Sequence, residues 1–255
     1  MIVRRDFLKK TALGGVAALL TSPITSASVS YPGNDVENDK KGYTFLFQGD
    51  SITDGNRTRN TDWNHVMGHG FAYLISSRLW FDSPGREFHF FNRGISGNRI
   101  TDLSMRWQSD TLDLKPDLIN ILIGVNDTEA AVKGNKACTA QQFESDYRTL
   151  LENTKKALPD TQLVLCNPFL LPVGRVKDKW EIYQQELKPR QEIVSRLARE
   201  FNAVVVNFQE AFDKELERAP ADYWIWDGIH PMPAGHELMA RVWIKEVHKK
   251  LKFVS

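Results

Sequence analysis

Short apolar runs alternate with longer amphipathic segments along most of the chain. Five runs rich in β-branched and aromatic residues predict strands, at residues 43–48, 87–92, 117–123, 162–166 and 203–206. Longer segments with apolar residues three or four apart predict helices, at residues 71–80, 100–109, 140–158, 187–201 and 234–251. This alternation predicts an α/β protein, with a three-layer α/β/α sandwich around a five-stranded parallel sheet.

A polar motif follows each of the first three predicted strands. The motif Gly-Asp-Ser-Ile brings Ser51 after the first strand, Asn-Arg-Gly brings Gly94 after the second, and Gly-Val-Asn-Asp brings Asn126 after the third. Ligands of parallel sheets bind beyond the carboxyl ends of the strands, near the switch in strand order. We therefore expect these three residues to meet at one edge of the sheet.

A fourth motif, Asp-Gly-Ile-His-Pro, lies in a tryptophan-rich loop before the last predicted helix and contains Asp227 and His230. A serine hydroxyl becomes a useful nucleophile when a histidine accepts its proton and a carboxylate orients that histidine. The spacing lets Asp227 reach one imidazole nitrogen while the other faces Ser51. The alternative for His230 is a helix-entry residue without chemistry, but all four motifs together favour a Ser51–His230–Asp227 triad.

Acyl transfer by serine also needs donors for the oxyanion of the transition state. The candidates are the backbone N–H groups of Ser51 and Gly94 and the side-chain amide of Asn126. Glycine at position 94 would let the backbone approach the ligand closely. An ordinary turn is the alternative for Asn126, since Asn and Asp favour turns.

These motifs resemble those of the SGNH hydrolases, also called the GDSL esterase/lipase family, over residues 43–251. The resemblance implies a flavodoxin-like SGNH hydrolase fold, with Ser51 as nucleophile, Gly94 and Asn126 as oxyanion donors, and Asp227 with His230 as the dyad. Ile52 stands where the family name implies leucine, a swap that conserves volume. The Gly-x-Ser-x-Gly elbow of the α/β-hydrolases is absent, because residue 53 is threonine.

Three tracts, at residues 45–54, 167–173 and 223–226, look like the carbohydrate esterase branch of that family, which includes acetylxylan esterases. The resemblance implies a serine esterase that removes O-acetyl groups from carbohydrate through an acyl-enzyme on Ser51. Two alternatives stay open. One is a lipase, lysophospholipase or thioesterase that acts on longer acyl chains, and the other is a non-catalytic carbohydrate-binding protein.

Three further residues are candidates for substrate contact: Asp50, Trp63 and Trp226. Aromatic faces suit sugar rings, although core packing is an equal alternative for Trp226 and a solvated loop is one for the segment around Trp63. No phosphate loop or dinucleotide fingerprint is present, and neither His65 and His69 nor the two cysteines form a zinc motif. The proposed chemistry needs neither a cofactor nor a metal.

The first 27 residues predict an export signal. Arg4 and Arg5 precede a short apolar run and small residues, as in a twin-arginine-like signal, although Val3 departs from that motif. An amphipathic helix of the domain is the alternative. Residues 28–41 read as a linker and 42–255 as the hydrolase domain, so we expect a periplasmic or extracellular protein.

Charge excludes some partners. The whole chain has a net charge of +1, and without residues 1–27 the net charge is −2, which argues against nucleic acid or an anionic membrane surface as partner. The apolar run near the start is too short for a membrane span. The expected partner is a small-molecule or polysaccharide ester. The sequence leaves the pairing of Cys138 with Cys166 open.

Overall fold

The computed structural model describes residues 42–60, 62 and 64–251. The predicted signal at 1–27, the predicted linker at 28–41 and Trp63 lie outside the described residues.

All five predicted strands form, and they pair in one parallel sheet. They are β1 (Thr44–Gly49), β2 (His89–Asn92), β3 (Leu118–Leu122), β4 (Gln162–Cys166) and β5 (Val204–Val206). Their order is β2-β1-β3-β4-β5, and every pairing between neighbours is parallel. The chain leaves β1 toward β2 and later returns to the other side of β1 with β3, so the strand order switches between β1 and β3. The predicted fold class is confirmed.

Nine α-helices are present in the described part of the chain. They are α1 (Ser51–Asp54), α2 (Phe71–Asp82), α3 (Ile100–Asp110), α4 (Val125–Val132), α5 (Ala140–Ala157), α6 (Trp180–Glu200), α7 (Phe208–Glu215), α8 (Ala221–Trp224) and α9 (Pro233–Lys250). The five long helices match the predicted ones, except that α6 begins seven residues before the prediction. Its first turns are mostly polar, and only Tyr183 with Leu187 gives them a buried face.

Two apolar cores cover the two faces of the sheet, as alternation along the strands requires. On β1, Phe45 and Phe47 belong to the core that contains the buried faces of α2, α7 and α9. Leu46, between them, belongs to the core formed with α3, α5 and the second half of α6. The three-layer arrangement leaves the two ends of the sheet uncovered by long helices, and the site lies at one of these ends.

Candidate active site

Ser51 lies at the junction between β1 and α1. It is the first residue of α1, and Asp50 caps this helix by accepting a hydrogen bond from the Ile52 backbone N–H at 3.0 Å. Asn126 lies in the first turn of α4, directly after β3. Both residues are therefore at the carboxyl ends of the two strands that flank the switch in strand order, as the sequence predicts.

The three predicted triad residues form a chain in which His230 lies within hydrogen-bond distance of both Ser51 and Asp227. The Ser51 Oγ is 2.8 Å from His230 Nε2, although the two residues are 179 positions apart in sequence. The His230 Nδ1 is 2.7 Å from Asp227 Oδ2. The other carboxylate oxygen of Asp227 accepts the backbone N–H groups of Ile229 at 3.0 Å and His230 at 2.7 Å. The backbone of residues 229 and 230 therefore holds the Asp227 carboxylate in place, and this carboxylate in turn orients the His230 ring.

The pKa of Asp227 determines which nitrogen of His230 carries a proton. Burial alone would raise this pKa, but hydrogen bonds from the His230 ring and from the His230 and Ile229 backbone outweigh burial and lower it to about 2. At neutral pH the carboxylate is ionised and can only accept hydrogen bonds. The Nδ1 of neutral His230 must therefore be the donor, which leaves Nε2 free to accept the proton of Ser51.

A neighbouring turn supports the Asp227 loop from outside. Gly174 has φ +54, and a Cβ there would lie 2.5 Å from the Asp227 Cα. The next residue, Arg175, donates its backbone N–H to the Asp227 carbonyl at 3.2 Å. Its guanidinium is 3.4 Å from Asp227 Oδ2 and 3.4 Å from Glu129 Oε1, on α4. Sequence reasoning missed Arg175 and Glu129, because charged residues on a 3-10 turn and a short helix look like solvated surface.

The three candidate oxyanion donors differ in whether they already donate a hydrogen bond within the protein. Ser51 N–H, in the first turn of α1, has no acceptor within its helix. Asn126 uses its amide once, from Nδ2 to the Asn98 carbonyl at 3.0 Å, and the amide has a second hydrogen. The Gly94 N–H donates to Asn92 Oδ1 at 2.9 Å. Gly94 would therefore have to share this hydrogen with an oxyanion.

Packing gives glycine at position 94 a cause that the sequence did not suggest. A Cβ there would lie 2.3 Å from the backbone nitrogen of Asp54, in α1. The close packing of this loop against α1 is therefore enough to require glycine, and the close approach of Gly94 to the ligand stays a prediction.

Asp127 joins two of the helices that surround the site. Its carboxylate oxygens both lie 3.3 Å from the Ile100 backbone nitrogen at the start of α3. Burial raises the pKa of Asp127 to about 6, against the lowering effects of this hydrogen bond and of Arg190. The motif that contains Asn126 and Asp127 is a helix start, so the alternative of an isolated turn is wrong.

Asp50 lies beneath the site. The residue has no exposed surface, and its Oδ2 has no hydrogen-bond partner in the described part of the chain. Burial raises the pKa of Asp50 to about 7, although the Ile52 N–H and the nearby His230 lower it. The predicted contact of Asp50 with substrate does not fit this burial. We infer that Asp50 positions Ser51 through the start of α1.

The predicted contact at Trp226 fits its position. Its side chain borders the triad, with 61% of the residue exposed and its ring stacked on the His230 ring at 6.3 Å and 25°. Its neighbour Trp224 is buried in the core. Trp226 therefore presents an aromatic surface to solvent next to the base.

Residues 42–60, 62 and 64–251 contain no metal site, no membrane-spanning helix and no disulfide. No group of three or more His, Cys, Asp or Glu side chains in these ranges could hold a metal ion. The helices of these ranges include none that is long and apolar enough to cross a membrane. Cys138 and Cys166 are buried and unpaired.

The chain is similar to known hydrolases. Residues 47–238 match the model of the GDSL-like lipase/acylhydrolase family. An acetylxylan esterase from Geobacillus stearothermophilus is 30% identical over 218 residues, which is 81% of this chain and 94% of that protein. A solved acetyl xylan esterase structure from the same organism has a TM-score of 0.73 at 30% identity, and covers 82% of this chain and 95% of that one. A structure named as a GDSL-like lipase, from Parabacteroides merdae, has a TM-score of 0.79 at 38% identity, over 83% of this chain and 98% of that one.

Proposed function

Since the chain belongs to the GDSL-like lipase/acylhydrolase family, we propose that it is a serine esterase that removes acetyl groups from carbohydrate. The hydrogen-bonded chain from Ser51 Oγ through His230 to Asp227 carries this proposal. A nucleophile, a base and an orienting carboxylate in this geometry are the requirements of acyl transfer through serine.

In the first half of the reaction, Ser51 Oγ attacks the ester carbonyl carbon while His230 Nε2 accepts the hydroxyl proton. The carbonyl oxygen becomes an oxyanion, which Ser51 N–H and the Asn126 amide stabilise, with Gly94 N–H as a shared third donor. His230 then donates the proton to the departing sugar oxygen. The products are an acetyl-Ser51 ester and a free sugar hydroxyl.

In the second half, water replaces the sugar. His230 Nε2 takes a proton from water, whose oxygen attacks the acetyl-Ser51 carbonyl. The same donors stabilise the second oxyanion. Collapse of this intermediate breaks the bond to Ser51 Oγ, which recovers its proton from His230, and acetate leaves. Asp227 stays ionised throughout and stabilises the imidazolium in each half.

Replacing the nucleophile tests the reaction class. We expect Ser51→Ala to lower kcat for nitrophenyl acetate by at least about 10³-fold and to abolish labelling by a fluorophosphonate probe. Ser109→Ala, an exposed serine on α3, is the matched control and should keep both signals. A folded Ser51→Ala protein with wild-type turnover would refute the assignment.

The carbohydrate part of the proposal is supported by Trp226 and by the similarity to the acetylxylan esterase. An exposed indole beside the base offers a flat apolar surface to a sugar ring. The direct test is acetate release from a panel of acetylated polysaccharides. Release from acetylated xylan well above that from simple alkyl acetates is the expected result, and no release from any polysaccharide would reject this part.

A second candidate is hydrolysis of longer acyl esters, which the 38% identity to the structure named as a lipase favours. Nitrophenyl esters from acetyl to octanoyl separate the two candidates. An acetylesterase should lose kcat/KM steeply beyond propionyl, whereas a lipase should gain it.

Export of the protein, to the periplasm or outside the cell, is also part of the proposal. The paired Arg4 and Arg5 before a short apolar run support it. N-terminal sequencing of the protein from the exported fraction should place the cleavage near residue 27, while an uncleaved chain in the cytoplasm would contradict export.

A further inference from the structure

A pocket beside the edge strand β2 lies at the same end of the sheet as the triad. Its volume is about 230 Å³. Three arginines and three apolar residues contribute to its lining: Arg57, Arg59, Arg93, Val66, Phe90 and Phe91. The arginines follow the carboxyl ends of β1 and β2, so the pocket is next to α1, the helix that Ser51 begins.

The positive charge of this pocket is only partly neutralised. Arg59 pairs with Asp54, with an N–O distance of 2.7 Å. No ion pair is formed by Arg57 or Arg93 within the described ranges, and the Arg93 Nε is buried there without a hydrogen-bond partner. Burial and the charges of Arg59 and Arg93 lower the pKa of Arg57 to about 10. Three cations therefore lie close together, while the two carboxylates that act on Arg57, Asp54 and Asp110, are paired with Arg59 and Arg106, an arrangement that an anionic ligand would stabilise.

One contact connects this pocket to the catalytic site. The Arg57 Nε donates to the Gly94 carbonyl at 3.0 Å, and Gly94 packs against Asp54 in α1. Asp54, the partner of Arg59, is three residues after Ser51, which is about 5 Å along a helix. Arg57 and Arg59 therefore both contact the last residue of α1, the short helix that Ser51 begins.

We propose that this pocket binds the carboxylate of a uronic acid residue, so that the enzyme prefers acetylated carbohydrate that carries acidic sugars. The inference rests on the proposed carbohydrate esterase function. Arg93 and Arg57 supply the charge-assisted donors for the carboxylate. The half-buried Val66 supplies an apolar surface for the sugar ring, which a small inorganic anion would not use, while the Arg93 guanidinium lies over the Phe91 ring, 5.6 Å from its centroid.

Binding to the inactive Ser51→Ala protein is the first test, because it needs no turnover. Titration calorimetry would compare xylotriose bearing one glucuronic acid branch, unbranched xylotriose and inorganic phosphate. We expect the acidic oligosaccharide to bind at least about 10-fold more tightly than either of the others. Equal binding of the two oligosaccharides, or phosphate binding as tight as that of the acidic one, would overturn the proposal.

Removal of one cation assigns the binding to this pocket. Arg93→Gln in the Ser51→Ala background should weaken binding of the acidic oligosaccharide about 10-fold, and Arg93→Lys should recover part of the loss because the charge returns without the planar fork. Arg218→Gln removes the same charge from an exposed pair after α7, at the opposite edge of the sheet, and should leave binding unchanged. Equal losses in both Gln variants would show a general charge effect and refute the site.

Turnover separates this proposal from the proposed function. With active enzyme, the ratio of kcat/KM for acetylated acidic over acetylated neutral xylo-oligosaccharide should fall about 10-fold in Arg93→Gln. An unchanged ratio with normal acetate release would reject the pocket and keep the esterase. Tight acidic binding without acetate release from any ester would reject the esterase and keep the pocket.

Discussion

Two buried aspartates near Ser51 have opposite electrostatic environments. Asp227 accepts three hydrogen bonds from its own loop and has a pKa of about 2, whereas Asp50 accepts one and has a pKa of about 7. Hydrogen bonds to the charged form offset burial in the first case and not in the second. Asp227 is therefore a permanent anion at neutral pH, and Asp50 is a group that folding makes harder to ionise.

Replacement of Asp50 by asparagine should stabilise the protein at high pH. The pKa of Asp50 is about 7 in the folded protein and about 3.9 when unfolded, so between these values only the folded state holds the proton. Stability is therefore lost as pH rises through this window, by up to about 4 kcal/mol. An asparagine side chain at this position can still cap α1 and has no proton to lose. Urea denaturation should show that the advantage of Asp50→Asn over wild type is larger at pH 8 than at pH 4.

The difference between the two pH values is the informative quantity, because the cap and the packing change equally at both. A gap between Asp50→Asn and wild type that is the same at pH 4 and pH 8 would mean that burial does not hinder the ionisation of Asp50.

At the scale of elements, the short helices carry two of the proposed catalytic residues and are hard to predict. The sequence predicts the five strands from their short apolar runs and the five long helices from apolar residues that recur over several turns. It does not predict α1 or α4, which have four and eight residues and too few turns for a period to emerge. The positions of Ser51 and Asn126 were still predictable, since the carboxyl ends of parallel strands meet at one edge. Arg175 was not, because only the folded turn brings it to Asp227.

The turn at Gly174 should control the position of Asp227. In Gly174→Ala the new Cβ would collide with the Asp227 backbone, so the carboxylate must move relative to His230. A displacement of about 1 Å in a catalytic group can cost about 10²-fold in rate, and we expect a loss of that order in kcat. Steady-state kinetics with nitrophenyl acetate would measure it.

A matched glycine separates collision from backbone strain. Gly134 has φ +85, but a Cβ at this position would have no neighbouring atom within 4 Å. Gly134→Ala should therefore cost only the left-handed backbone, about 1–2 kcal/mol of stability, with kcat unchanged. Equal kcat values in the two variants would refute the role given to Gly174.

At the scale of the whole molecule, α9 connects the dyad loop to the centre of the sheet. Trp243 on this helix is fully buried and donates its indole N–H to Asn120 Oδ1 on β3 at 2.8 Å. The same oxygen accepts the Cys166 thiol at 3.1 Å. The last long helix is thus joined to β3 and β4, and the loop that holds His230 leads directly into it.

Trp243→Phe should destabilise the fold without changing the chemistry. The loss of a buried hydrogen bond and of part of a large ring should lower the free energy of unfolding by about 2–4 kcal/mol. Thermal and urea unfolding would measure this, with Trp226→Phe, an exposed site, as a control that should change it by less than about 0.5 kcal/mol. Well below the melting temperature, kcat of Trp243→Phe should match wild type. A stability equal to wild type would contradict the role of this contact.

The 179 residues between Ser51 and His230 also have a consequence for synthesis. A ribosome makes the proposed nucleophile early and the proposed base near the end, and domains fold as their chains emerge. In the proposed mechanism, Ser51 has no proton acceptor until the loop with Asp227 and His230 and the helix α9 are complete, so an unfinished chain should hydrolyse no ester in the cell that makes it. Esterase activity therefore reports that nearly the whole domain has been made and folded. Chains that end before residue 230 should have no esterase activity, whatever part of the sheet they have formed.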